Sequence, residues 1–520
     1  MSKPDPAMIK AMKPNFIDKL VSFYNPVAGY HRQQARTMSA ISGSYTGASR
    51  KGAAFKSWFA SSSDANADII PDLPMLRARS RDLIRNQPIA GGAINTVVSN
   101  VVGAGLSLQS NIDSKFLGMN DDDAAAWQET VEREFKLFAD SKGCDITRTQ
   151  NFAGLQDLAF RSALENGDSF ALLPMVPVAG SPYSTRVQLI ESDRICNDKD
   201  ARDSDRLAGG IAIDEYGAPE WLHVLKSHPG SAIRAKKQWD KIRFFGENTG
   251  RTNVVQLIDR RRIGQLRGVP YLAAVIEPLK QLGRYTEAEL MAAVVSGLFT
   301  VFVKSEPGQG SLLGSDDIQN KSRDYALGNG SIIEGVPGDS IETIDAGRPN
   351  KEFDPFVSAI LQQVGVALEL PRSVLVKCFM SSYSAARAEL MDAWKFFSKR
   401  RRLLAINFCQ PIYEAWLEEA VSIGRIKAPG FFTDPLIRKS YCGALWHGDG
   451  PGAIDPLKEA NAIEKRLSIN LTSLAEEKAA YDGGDWEQTT RQRKKERDVI
   501  GVTEPPTATE EEPYNPDNPQ

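Results

Sequence analysis

The chain has 520 residues, with 42% hydrophobic and 25% charged positions, the balance of an ordinary soluble globular protein large enough for several domains. Its 63 Lys and Arg nearly cancel 66 Asp and Glu, leaving a net charge of −3. That disfavours a protein that clamps DNA over its whole surface, because phosphate neutralisation supplies most of such affinity. The five cysteines (Cys144, Cys196, Cys378, Cys409, Cys442) form no CxxC or CxxH pair, which argues against a zinc site or a disulfide framework. The N-terminus lacks an apolar signal core. The most apolar stretch, Leu290–Val303, is too short to cross a bilayer and reads as a buried helix passing into a strand.

Residues 1 to about 75 are rich in Ser, Ala, Gly and Arg, and this predicts an extended arm or one ordered by a partner. Leu76–Asn100 follows as a helical stretch with a dense arginine set (Arg77, Arg79, Arg81, Arg85). Ala124–Asp140 is a helix with Trp127, Val131, Phe135 and Phe138 on one stripe after the acidic start at Asp121–Asp123. Leu155–Asn166 is another, stopped by Gly167. From Phe170 to Leu257 short strands alternate with turns: Phe170–Val178, Arg186–Ile190, Gly210–Ile213, Trp221–Leu225 and Val254–Ile258.

Pro270 suits the first position of a helix that continues to about Gly297. Residues 305–350 read as a Gly- and Asp-rich insert with a strand pair near Ser331–Glu334 and Ser340–Ile344. Phe353, Phe356, Val357, Ile360, Leu361 and Val364 keep helical spacing until Gly365 and Pro371. A loop from Arg372 to Ser382 leads to the longest helix, Ser384 to about Gly424, which Pro411 should kink. Asp455–Tyr481 is helical with a break near Asn470, and Asp485–Asp498 is a charged surface helix. The tail from Thr503 holds five prolines with Glu504, Glu510, Glu511, Glu512 and Asp517, and its composition predicts disorder.

No catalytic constellation emerges. There is no GxxxxGK[ST] loop and no GxSxG elbow, and Gly103-Ala-Gly105 reads as a turn. His31, His223, His228 and His447 have no paired ligand spacing. Asp198, Asp200, Asp203 and Asp205 interleave with Lys199, Arg202 and Arg206, which favours a solvated loop over a calcium site. The run Lys399-Arg400-Arg401-Arg402 lies inside a helix, so its charges point in several directions; a solvated face or salt bridges to a neighbouring chain is the plainer reading.

Ser382-Tyr-Ser-Ala-Ala-Arg387, opening the long helix, resembles the Tyr-Ser-Ser-Ala-Arg signature of lambda-family phage portal proteins. The segments Phe353–Phe356, Phe408–Val421 with Gly424, Ile454–Glu459, Leu471–Ser473 and Asp485-Trp486 are also similar to that family. So are Leu76–Arg81 with Asn86, Val101–Gly103 with Gly105, Arg267–Pro270, and Gly330–Glu334 with Pro337-Gly338. The marks run in order through most of the chain.

The resemblance implies an α+β portal architecture: a flexible arm (1–75), a wing with a helical and a β-rich part (76–265), stem helices (266–300 and 351–370), a clip (301–350), a tunnel loop (371–383), a long kinked wing helix with its following segment (384–454), a helical crown (455–500) and a disordered acidic tail (501–520). It implies a homo-oligomeric ring of about twelve copies closed by one repeated head-to-tail contact. Double-stranded DNA would pass through without sequence recognition. The implied partners are the terminase large subunit, the major capsid and scaffold proteins, and head–tail connector proteins, with no membrane, metal or cofactor. The implied location is the portal vertex of the virion, with the host cytoplasm during assembly, and the implied role includes initiating procapsid assembly. Lys377, Ser381, Ser382 and Tyr383 would face DNA, and Arg387, Arg400 and Arg401 would contact DNA or a neighbouring subunit. The competing readings are another phage capsid or adaptor protein without a DNA channel, and a portal fused to a maturation protease; at this length the protease reading lacks an extra catalytic domain.

Overall fold

The computed structural model describes residues 16–41, 57–60, 62–232, 236–297, 301–304, 340–343, 352–379, 382–452, 455–482, 484 and 486–500. They fall into two units, Met1–Asp64 and Ala65–Gln520. In the first unit, helices α1 (Phe16–Tyr24) and α2 (Pro26–Ile41) follow each other directly. Pro26 takes a first helical position, where its missing N–H costs nothing, and the Asn25 side chain accepts from the Ala28 N–H at 3.1 Å. The arm, expected to be extended or ordered by a partner up to about residue 75, is helical over much of its described length. Its last part belongs to the second unit, where Ala65 and Leu73 are buried.

After a short helical turn over residues 65–72, the second unit continues with α3 (Leu73–Asn86) and α4 (Pro88–Val101). The sequence reads as one helix here, but Pro88 forces Gln87 out of helical geometry (φ −116°, ψ 111°) and splits it. After the strand β1 (Ser107–Ser110), α5 (Asp121–Asp140) starts at the Asn120 cap and buries Val131, Phe135 and Phe138 as the stripe predicts. Helix α6 (Phe152–Asn166) starts at the Asn151 cap and stops at Gly167, whose φ is +95°.

Two small antiparallel sheets follow. The strands β2 (Asp168–Leu172), β3 (Gln188–Ile190), β4 (Leu207–Ala208), β5 (Ile211–Ile213), β6 (Pro219–Leu225), β7 (Trp239–Arg243) and β8 (Val254–Ile258) sort into the orders β3-β2-β8 and β4-β5-β6-β7. Strand β2 is buried throughout because it separates two cores. Phe170 and Leu172 face a small core with Ile190, Ile211, Leu222 and Phe244, and Ala171 faces the main core. Two strands of these sheets escaped the sequence reading: β4 is only two residues long, and β7 is an edge strand with Asp240 and Lys241 exposed.

Helix α7 (Ile276–Gly297) begins later than Pro270 suggests. Residues 268–272 stay irregular because Gly268 lies against the Gly167 backbone: a Cβ there would meet the Gly167 carbonyl oxygen at 1.8 Å. Leu290, Met291 and Val294 of α7 are exposed within the chain, contrary to the buried helix expected. The strand β9 (Val301–Lys304) pairs antiparallel with β10 (Ser340–Thr343). The expected partner of β10, Ser331–Glu334, lies outside the described residues. Helix α8 (Phe353–Ala367) packs on α7, with Tyr285 stacked on Phe353 at 5.6 Å and edge-on to Phe356 at 5.0 Å.

A short helix α9 (Arg372–Val376) precedes α10 (Tyr383–Leu404), a π-helical turn (Ala405–Cys409) and α11 (Gln410–Ser422). The anticipated kink takes this form. Pro411 cannot donate to the preceding turn and its ring would strike that turn's carbonyl, and the wider turn gives it room. Helix α12 (Pro435–Tyr441) leads to β11 (Ala444–His447), which pairs with β1 and ties the two ends of the unit together. Phe135 sits at the centre of the main core, met edge-on by Phe152, Tyr413, Trp416 and Trp446 at 5.1–5.9 Å. Helices α13 (Pro456–Ser468), α14 (Leu474–Asp482) and α15 (Trp486–Ile500) complete the unit, with Asn470 left-handed (φ +55°) at the break.

One buried ion cluster joins these parts. Asp168, fully buried, accepts from Arg77 (3.1 Å), from Arg267 (2.7 and 3.2 Å) and from the Gly268 N–H (2.9 Å). Arg77 also donates to the Asn166 carbonyl, and Arg267 to the carbonyls of Ser192, Ile195 and Gly209. Burial alone would raise the Asp168 pKa, but the two guanidiniums outweigh it and hold the carboxyl below its usual range. Burial, with Arg267 adding to it, lowers Arg77 to about 10.

Asp168→Asn should cost about 3–5 kcal/mol, because it leaves two buried guanidiniums without their anion. A depressed carboxylate pKa contributes stability that is present above its unfolded value and lost as pH falls through the folded one. Urea unfolding of the wild type should therefore weaken below about pH 4, and D168N should show a shallower acid slope. Equal midpoints for the two proteins at pH 7 would contradict this account.

Candidate functional site

The corner between α8, α9 and α10 is built from backbone geometry. After α8, Glu369 turns left-handed (φ +54°) and the Leu370 N–H returns to the Gly365 carbonyl at 2.9 Å. Gly365 is required there, since a Cβ would lie 2.6 Å from the Leu370 carbonyl oxygen. Val374 and Leu375 anchor α9 in the core. The Tyr271 hydroxyl donates to the Leu368 carbonyl, and the Ser373 hydroxyl to Glu389 of α10. The segment expected as a loop thus carries one short anchored helix.

Lys377 closes α9 in the left-handed region (φ +54°, ψ 38°), a conformation that non-glycine residues adopt at a cost of about 1 kcal/mol or more. Its side chain is exposed. Ser382 is exposed and precedes the first turn of α10, its hydroxyl 3.3 Å from that of Ser384. Tyr383 is exposed, with the Lys458 ammonium 5.6 Å from its ring centre. Ser381 lies outside the described residues. Lys377 at the end of α9 and Ser382 and Tyr383 at the start of α10 are all exposed.

The three arginines divide differently. Arg400 is 6% exposed and pairs with Asp259 at 2.7 Å, with its guanidinium 5.2 Å from the Phe396 ring. Arg401 donates to the carbonyls of Val101 (3.0 Å) and Asn100 (2.9 Å), the unsatisfied end of α4, and lies 5.1 Å from the Trp394 ring. Burial lowers its pKa. Within the chain Arg400 is taken up by a buried ion pair, while Arg401 is half-buried and caps the end of α4. The helical period explains the division: Lys399 and Arg402 of the same run are exposed. Arg387 is half-buried, and among the described residues no carboxylate pairs with it.

Beside the corner lies an open groove of about 870 Å³ between α8 and α10. It is lined by Glu369, Glu389 and Asp392 and by Arg372, Lys395 and Lys399, and Val366 at its edge is 77% exposed.

The aspartates near residue 200 are spent on loop structure. Asp203 accepts from Asn197 and from the Gly209 N–H, and Asp200 pairs with Lys237 at 2.7 Å. Glu191, Asp193 and His228 could together offer ligand atoms to a metal ion, all within 4.8 Å of one another. Arg81 already pairs with Asp193 (2.5 Å) and Glu191 (3.4 Å), so this is a charge-matched network and a poor cation site. Sequence reading did not find this network or the Asp168 cluster. The only signal was a lone aspartate after Gly167, opening an apolar strand.

The model of the lambda family of phage portal proteins matches residues 51–401. The chain is 24% identical over 478 residues to portal protein B of Escherichia phage lambda, covering 87% of this chain and 89% of that protein. It is 24% identical over 481 residues to the portal protein of Escherichia phage N15, with 87% and 90% covered. Among solved structures, the neck of a native gene transfer agent particle computed with C12 symmetry is similar at 12% identity and a TM-score of 0.41, over 78% of this chain and 92% of that one. An HK97-family phage portal protein from Corynebacterium diphtheriae is similar at 13% identity and a TM-score of 0.31, over 60% and 83%.

The division among the arginines is directly measurable. Arg400→Ala should lower unfolding stability by about 2–4 kcal/mol, since it breaks a buried pair, whereas Arg387→Ala should change it by less than about 0.5 kcal/mol. Chemical denaturation of both variants checks this, and similar losses for the two would refute it.

Proposed function

Because the chain belongs to the lambda family of phage portal proteins, virion structural proteins at the capsid vertex whose general role is to conduct DNA during packaging, we propose that its α8–α9–α10 corner is the part that meets the passing duplex. The observation that carries this reading is the separation of charges. Lys377 is held exposed at a sharp turn, while the denser cations of the adjoining helix, Arg400 and Arg401, are locked into the chain's own core and helix ends.

One lysine per subunit, repeated around a ring, gives an even positive belt. Each phosphate contact is single, hydrated and screened over about 8–10 Å at physiological salt, and it carries no base information. DNA can then exchange contacts as it moves. A tightly basic lining would hold it, and the chain's net charge of −3 avoids that.

The same reading gives ring closure its surfaces. Leu290, Met291 and Val294 on α7 and Phe356 and Val366 on α8 are large, apolar and exposed within one chain. A head-to-tail neighbour would cover them, and the groove beside the corner, with its acidic and basic side chains, would set the register. Arg387 would find its carboxylate on that neighbour. The ring would hold about twelve copies, form in the host cytoplasm, and initiate the procapsid with scaffold and major capsid proteins. The segment 301–350, of which only β9 and β10 are described, would dock the terminase large subunit and later the connector proteins. The chain's role would be mechanical, with no covalent chemistry of its own.

Lys377→Glu should leave ring formation intact and cut packaged DNA at least tenfold, an effect of about 1.4 kcal/mol or more per contact step. Nuclease-protected DNA per procapsid and ring counts by electron microscopy check it. Normal packaging by K377E rings would remove the corner from the DNA path.

A further inference from the structure

We propose that the outward face of α15, formed by Arg493, Lys494 and Arg497, is a second, sequence-independent site for the phosphates of duplex DNA. The proposal rests on the conduit reading for its ligand but uses a different part of the chain.

Helix α15 has two unlike sides. Arg491, Gln492 and Lys495 line a groove of about 630 Å³ shared with α5 and β1, and Arg491 pairs with Glu129 of α5 at 2.6 Å. That side faces the body of the protein. At about 100° per residue, Arg493 and Arg497 fall on the opposite side, and Lys494 sits on the flank between Arg497 and Arg491, so the three span about 100° of the helix surface. All three are exposed, and among the described residues none has an ion-pair partner.

The neighbouring helices show that pairing is the local habit. Lys458 pairs with Asp455 (3.0 Å), Arg466 with Glu477 (2.6 Å) and Lys478 with Asp482 (2.5 Å). On α15 itself, Glu487 holds Arg491 and Glu496 accepts from Gln492. Asp498, four residues after Lys494, makes no ion pair with it.

The plain alternative is that cations near a helix C-terminus answer the helix dipole. It accounts for Arg497, which lies in the last turn. Arg493 and Lys494 lie before that turn, where the dipole effect has faded. Two arginines and a lysine on one helical face suit a row of phosphates: arginine bonds them bidentately, and lysine adds a mobile point charge. The face offers no aromatic platform and enters no groove by any feature seen here, so contact would be to backbone only. Repeated around a ring, it would form a second belt, separate from the one at Lys377.

The test is fluorescence anisotropy of the assembled full chain with a random-sequence duplex of about 30 bp, titrated with potassium chloride. Arg493→Gln, Lys494→Gln and Arg497→Gln together should weaken binding at least tenfold at low salt. They should also reduce the slope of log K against log salt by about 3 for each face engaged. Lys465→Gln, removing an exposed cation elsewhere in the same helices, should change neither. If the triple variant binds like the wild type, the proposal is overturned. If K377E weakens binding while the triple variant does not, this second site falls and the conduit reading stands. If the three substitutions matter only after residues 501–520 are removed, the acidic tail occupies the face and DNA does not.

Discussion

The second unit is organised around a carboxylate that has no access to water. Asp168 opens a strand between two hydrophobic cores, and an isolated ion there would be prohibitively expensive. Its oxygens are satisfied only if α3 supplies Arg77, the turn before α7 supplies Arg267, and Gly268 comes within bonding distance. The strand, α3 and this turn are far apart in sequence, and the ion cluster fixes how they meet. Replacing such a cluster with apolar residues can leave stability unchanged. The hypothesis consistent with the geometry is that it specifies the arrangement: Arg267 alone bonds Ser192, Ile195 and Gly209, and so sets the β-rich part against the helices.

That arrangement bears on the corner between α8, α9 and α10. The turn at Gly268 sets where α7 begins, and Tyr271, three residues on, bonds the carbonyl of Leu368 at the end of α8. Tyr285 stacks on α8 further along. Arg400 reaches back from α10 to Asp259, just after β8. The corner is thus held from both flanks by core contacts, and its exposed residues are few. The corner proposed to line the conduit thus joins a frame held by core contacts to few exposed charges.

Much of this was legible in the sequence, because periodicity and capping are local. The stripe Val131, Phe135, Phe138, the stop at Gly167, the strand Val254–Ile258 and the break near Asn470 all appear where the pattern puts them. The failures have physical causes. Pro88 splits one apparent helix, because the effect of proline on the residue before it outweighs a continuing apolar pattern. Pro270 lost its helical start to a glycine contact across the fold. Arg400 and Arg401 looked like surface charge because composition does not show which side of a helix is buried, or that α4 ends where Arg401 can cap it. Lys377 was singled out only through the loop that the family resemblance implies; its left-handed turn has no sequence signal of its own.

The central claim is that the corner bearing Lys377 lines a channel through a ring. The most direct measurement is an electron cryomicroscopy reconstruction of the purified assembled chain, viewed along its symmetry axis. The account predicts a closed ring with a central passage wide enough for duplex DNA, Lys377 and Tyr383 at its wall, and the exposed apolar residues of α7 and α8 covered by the next subunit. Compact oligomers without a passage, or rings with Lys377 on the outer surface, would contradict it.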